Sequence, residues 1–209
     1  MSRRYRPADP ATLPDLVAGL LHAAPPPGVA LRVAIDGPAC AAPAAFADAL
    51  VAPLRALGRP AVTIRAETFW RDASLRLEHG REDVDSYLGW LDSAALRREV
   101  LDPLGAGGSG RYLPSLRDPA TDRATREPAR PAAGGTIVMV AGELLLGLGL
   151  PFDVTIHLTV SPAARWRRTA PAAAWTLEAL DRYDAQVRPA DIADVAIRYD
   201  DPAHPAISA

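Results

Sequence analysis

Two carboxylates and one loop carry the chemistry that this sequence could do. Glu67, in AETFW, and Glu143, in VAGELLL, each follow an apolar run. Two carboxylates in differently desolvated surroundings divide into an acid and a base, because burial disfavours the charged form. The loop lies in VAIDGPACAAPAAF, residues 33–46, where Asp36 and Gly37 end an apolar run and an alanine-rich stretch follows. That is the setting in which G-x-x-x-x-G-K-[ST] cradles phosphate groups. Counted from Gly37, however, the second glycine is Ala42, the lysine is Pro43 and the hydroxyl residue is Ala44.

Each replacement removes a separate function. Pro43 brings no cation and no backbone N–H, Ala44 has no hydroxyl for Mg²⁺, and Ala42 resists the left-handed backbone that glycine adopts freely. A charge-assisted hydrogen bond is worth about 1.5–3 kcal/mol, so losing two or three predicts weak binding of ATP phosphates. No lysine occurs anywhere in the chain, and all 23 basic residues are arginine. Arginine, which clamps phosphate with two parallel N–H groups, is therefore the one substitute available.

Other chemistries find less support. Cys40, the single cysteine, cannot form an internal disulfide, and no neighbouring His or Arg in the sequence suggests an activated thiolate, so it reads as a small packing residue. His79, His157 and His204 do not cluster with Cys or acids at metal-ligand spacing, and no metal or other cofactor is expected. A net charge of -2 argues against a nucleic-acid partner. The start of the chain lacks the long apolar segment of a signal peptide or membrane span, which points to a cytoplasmic protein with no membrane partner. The expected partner is a small-molecule substrate; the oligomeric state is open.

The elements that must position these residues follow from periodicity. Residues 31–35, 61–65, 136–142, 153–160 and 194–199 read as strands. Residues 13–23, 43–57, 92–104 and 174–187 read as helices, with Pro53 expected to kink or break the second. Asp92 or Ser93 caps the third helix and Gly105 follows its end; Ser161 and Pro162 open another. Residues 106–128, rich in Gly, Pro and charge, read as an exposed loop or hairpin. Strands alternating with helices predict an α/β layer fold with a mostly parallel sheet. At 209 residues, one domain is expected throughout, with residues 1–28 as an extension.

The order of these stretches resembles the uridine kinase-like branch of the P-loop nucleoside kinases. The resemblance is carried by VAIDGPACAAPAA, AETFW, LRREVLDPLGAGGSGRYLPSLRD, VMVAGELLL, DVTIHLTVSPAARWRR and IRYDDPAHP, spread over most of residues 29–207. It implies a three-layer P-loop NTPase-like fold, a nucleoside pocket and an arginine-bearing lid, here reduced to residues 161–175. Glu67 falls where the family has the carboxylate that accepts the substrate hydroxyl proton, and Glu143 matches a pocket-facing acid. Arg111 and Tyr112 match the substrate hairpin, Arg165, Arg167 and Arg168 the lid, while Asp36 and Trp70 are further candidates for the substrate side. The chain departs from the pattern at Ala141, where an acidic residue is expected, and at residues 198–202, RYDDP in place of DNTDP.

Bland roles compete with each assignment. Glu67 is also a solvated residue at a strand end, Glu143 a cap for a helix over residues 144–149, Asp36 an acceptor of backbone N–H groups, and the lid arginines a solvated face. Trp70 and Trp90 pack a core or a pocket wall. Three functional readings stand: a repurposed enzyme doing ATP-independent acid–base chemistry on a nucleoside, nucleotide or other small polar metabolite; a non-catalytic pseudokinase that binds a ligand or partner; and an active nucleoside kinase with arginine in the lysine's role.

Overall fold

The structure, a computed structural model, describes residues 3–208. Strands and helices alternate as the periodicity predicts. The N-terminal part comprises β1 (Arg6–Pro7), α1 (Leu13–Ala23), β2 (Leu31–Asp36), α2 (Pro43–Ala56) and β3 (Ala61–Arg65). Three short helices follow, α3 (Ala73–Arg76), α4 (Val84–Leu88) and α5 (Ser93–Leu96), then a π-helical turn at Arg97–Leu101 running into α6 (Asp102–Leu104). Two small hairpins pair β4 (Arg111–Tyr112) with β7 (Arg130–Pro131), and β5 (Arg117–Asp118) with β6 (Arg123–Ala124). The last part holds β8 (Ile137–Gly142), β9 (Val154–Thr159), α7 (Pro162–Arg168), α8 (Thr176–Val187), α9 (Pro189–Ile192), β10 (Val195–Arg198) and β11 (Ala206–Ser208).

Seven strands form one sheet in the order β1-β11-β10-β9-β2-β8-β3. The five from β10 to β3 are parallel; β11 and β1 close one edge antiparallel. β8 is buried along its whole length and β2 at every residue but Arg32, which is why both read as mostly apolar runs without alternation. One face of the sheet packs on α1 and α2 through residues such as Leu21, Val33, Leu50 and Met139; the other packs through Leu96, Leu101, Val138 and Tyr183. Register aligns Asp36 with Gly142 on one side and with His157 on the other, so β2 and β8 end at one level while β9 continues past it to Thr159. In open parallel sheets, ligands bind beyond those ends.

Some local expectations change. α2 runs through Pro53 to Ala56, because only one turn follows the proline and few backbone bonds are at stake. The predicted helix at residues 92–104 contains the π turn: Pro103 has no N–H to offer the Glu99 carbonyl, which accepts from Leu113 N instead at 3.0 Å. No helix forms at residues 144–149, where the chain makes bends and turns, so Glu143 caps none. Asp92 and Ser161 do cap α5 and α7, accepting from Ala95 N and Ala164 N.

Candidate functional site

A cavity of about 550 Å³ opens at the carboxyl ends of β2, β8 and β3. Its walls bring together Glu67, Glu143, Trp70 and the loop residues Ala42, Pro43 and Ala44. Glu67 stands on a short 3₁₀ turn, Ala66–Phe69, directly after β3. Glu143 follows the last residue of β8. Gly142 lets these two segments touch: a Cβ there would lie 2.5 Å from the Ala66 Cβ. The close approach is what sets the two carboxylates in one cavity.

Their surroundings differ. Glu143 Oε1 accepts from Ala39 N–H at 2.6 Å, and Oε2 accepts from the Tyr87 hydroxyl at 2.5 Å. Burial holds the Glu143 carboxyl above the usual carboxylate range, opposed by those two hydrogen bonds. Burial, and after it the Glu143 charge, also hold the Tyr87 hydroxyl far above the ordinary tyrosine value, so it stays protonated. Glu67 is half-buried and, among the described residues, its side chain makes no hydrogen bond and no ion pair.

Aromatic rings complete the wall. Trp70 and Trp90 meet edge to face at 5.1 Å, Tyr87 and Trp90 at 4.9 Å, and Trp175 backs Tyr87 at 5.1 Å. The Arg76 guanidinium lies 5.1 Å from the Trp70 ring centre and 4.8 Å from that of Trp90. α4, which carries Tyr87, is short and needs outside support: Asp83 caps it through Ser86 N, and Arg182 of α8 binds Asp85 at 2.5 Å. Among the described residues, Arg65 is the one basic residue on the cavity wall; it is about half exposed and lies 3.3 Å from Asp48.

The loop between β2 and α2 is tied down by the protein itself. A 3₁₀ turn spans Ala39–Ala41, using Ala41 N–H on the Pro38 carbonyl and Ala42 N–H on the Ala39 carbonyl. Arg168 donates to the Cys40 carbonyl at 2.5 Å and to the Tyr199 carbonyl. Ala42 adopts φ 52°, ψ 57°, the conformation glycine would take, at a cost of about 1–2 kcal/mol. Leu144, beside Glu143, also has φ 60°. Two non-glycine residues in left-handed backbone at one cavity mark strain held by the surrounding fold.

Several residues expected at the site lie elsewhere. Asp36 is fully buried beneath the loop, accepting from Leu145 N–H at 2.9 Å and the Tyr183 hydroxyl at 3.0 Å, with His157 Nδ1 at 2.7 Å. Arg165, 3% exposed, binds Asp184 and Asp181 at 2.6 and 2.7 Å and so is no phosphate clamp. Arg168 is near the loop but grips its carbonyl. Arg111 is exposed and donates to the Ala129 carbonyl, while Tyr112 is buried in the core; neither lines the cavity. Gly37 is buried beneath it, its N–H on the Gly142 carbonyl. Tyr87 and Arg65 belong to the site without having been singled out from sequence. No local signal joins Tyr87 to Glu143, which is 56 residues away.

The fold is a P-loop NTPase-like α/β fold, shared with solved structures that differ from this chain at most positions. A solved structure from Bacillus stearothermophilus, described as a possible uridine kinase, superposes with a TM-score of 0.69 at 20% identity, covering 88% of this chain and 96% of that one. A candidate fructose transport system kinase from Silicibacter sp. TM1040 gives 0.54 at 23% identity, covering 88% and 89%. No sequence-family model matches the chain, and no curated protein matches it by sequence.

Proposed function

We propose that this chain has given up the phosphoryl-donor half of the kinase scaffold and kept the acceptor half, where it acts on a small polar metabolite by ATP-independent acid–base chemistry. The observation that carries this reading is the pair of carboxylates in one cavity, one fixed and one free. Glu67, with no internal partner, is the proton acceptor for a substrate hydroxyl or amine. Burial keeps the Glu143 carboxyl protonated to higher pH than an ordinary one, which suits it to be the acid, while the Tyr87 hydroxyl, donating to Oε2, fixes its position.

Mg-ATP, which the fold would imply, does not fit the residues present. Pro43 and Ala44 offer neither cation nor hydroxyl, two loop amides are spent on loop carbonyls, and a third carries the Glu143 carboxylate. No lid arginine substitutes for the missing lysine through Arg165 or Arg168, since Asp181, Asp184 and the Cys40 carbonyl engage them. These contacts count against an arginine-assisted nucleoside kinase. A second reading, ligand binding without turnover, draws support from the same Glu143 contacts, which restrain the carboxylate in place.

The test is ATP-free. Wild-type protein and Glu67→Gln are incubated with a panel of nucleosides, nucleotides and amine-bearing metabolites, and substrate loss is followed by mass spectrometry. Consumption by wild type that Glu67→Gln abolishes supports the proposal. Consumption that survives the substitution, or that appears with ATP alone, overturns it.

A further inference from the structure

Resting on the reading of this cavity as the ligand site, we infer that its ligand is a small organic cation, a protonated or quaternary nitrogen on a compact apolar body, and not a phosphate ester. Charge balance is the first ground. Glu67 has no partner among the described residues, so a carboxylate stands in a mostly apolar cavity, where it attracts a complementary charge more strongly than it would in water. Among the described residues the one basic group on the wall, Arg65, sits at its exposed rim beside Asp48. The opposing positive feature, the uncapped start of α2 at Ala44 and Ala45, amounts to about half an elementary charge. The full carboxylate of Glu67 outweighs it.

The second ground is the aromatic wall. Tryptophan is the best of the side chains at attracting a cation to its ring face, and Trp70 and Trp90 stand next to Glu67 in the cavity with Tyr87. The protein already uses these two indoles in this way, for the Arg76 guanidinium lies near both ring centres. The Trp90 Nε1–H is buried and has no hydrogen-bond partner among the described residues. Carboxylate and rings together select a positive nitrogen; a phosphate would meet the Glu67 carboxylate and loop amides already engaged.

Matched pairs isolate the charge. Choline is compared with its uncharged isostere neohexanol, and tyramine with tyrosol, by calorimetry and tryptophan fluorescence, alongside uridine and uridine monophosphate. A member of the cationic set is expected to bind about tenfold or more tighter than its neutral counterpart, with a gap that narrows as salt is raised. Glu67→Gln, checked for folding by circular dichroism, should close the gap, and Trp70→Leu should weaken the cation more than the isostere. Equal binding within both pairs, tighter binding of uridine monophosphate, or no binding of either cation overturns the inference. Uridine binding that Trp70→Leu abolishes, with no cation bound, keeps the cavity as the ligand site and overturns the charge argument alone. Absence of all binding overturns both.

Discussion

Glu143 Oε1 accepts a hydrogen bond from the Ala39 backbone N–H at 2.6 Å, so a carboxylate from the end of β8 sits on the loop that in a phosphate-binding protein would hold a ligand's anion. The protein supplies its own acceptor where the motif would have recruited a ligand's oxygen. Arg168 completes the arrangement from the other side, gripping the Cys40 carbonyl. The loop is satisfied without ligand.

Removing that carboxylate should be felt as stability. Glu143→Ala leaves Ala39 N–H and the Tyr87 hydroxyl without partners, and a loss of about 1–2 kcal/mol is expected, since Tyr87 is buried and Ala39 is open to water. Urea unfolding of wild type, Glu143→Ala and Glu143→Gln measures it, with the Gln variant closer to wild type. An unchanged midpoint in Glu143→Ala would contradict the role.

The same residue sets a pH dependence of defined sign. Burial raises the folded carboxyl above its ordinary 4.5, so above that pH the folded state binds more protons than the unfolded state. The contribution of Glu143 is therefore full below 4.5 and falls as pH rises through the folded value. Stability of Glu143→Gln relative to wild type should increase with pH across that window and then level off. A relative decrease would reverse the assignment.

At Ala42 the backbone has kept a glycine conformation without the glycine. Ala42→Gly should stabilise the protein by up to about 1 kcal/mol, the relief of left-handed strain less the extra freedom glycine gives the unfolded chain. Thermal unfolding reads the change. Destabilisation would mean that the alanine methyl packs more than its strain costs.

Arg165 and Asp36, both candidates for ligand contact on sequence grounds, should behave as structural residues. Arg165→Ala is expected to cost about 2 kcal/mol, a buried guanidinium bound to carboxylates that are themselves largely exposed and screened. Asp36→Ala orphans Leu145 N–H, His157 and Tyr183 together and should cost about 3–5 kcal/mol. Near-wild-type urea midpoints for either would show that these contacts do not carry the fold.

Periodicity made the scaffold legible. Residues 137–142 are an unbroken apolar run, and residues 31–36 are apolar except for Arg32 and Asp36, because both faces of a central parallel strand are covered; Ser161 followed by Pro162 marks a helix start through local capping chemistry alone. The site was legible in part. Glu67 and Glu143 were readable because each follows a strand that ends at the same level of the sheet. Arg165 misled because an arginine on a helix looks the same in sequence whether it meets water, a phosphate or, as here, two aspartates of α8. Tyr87 escaped notice because its meaning lies in a contact with a distant strand end, and the π turn because a proline's missing N–H shows its effect only once Leu113 takes the released carbonyl.

The central claim is that the donor half is lost while the acceptor cavity remains. Calorimetric titration with Mg-ATP, followed by uridine, uridine monophosphate and the organic cations in the same buffer, tests it most directly. No heat of binding is expected for Mg-ATP, and a phosphate-free ligand is expected to bind saturably in a manner that depends on Glu67. Micromolar binding of Mg-ATP would contradict it, and would mean that Ala42, Pro43 and Ala44 still form a working phosphate cradle.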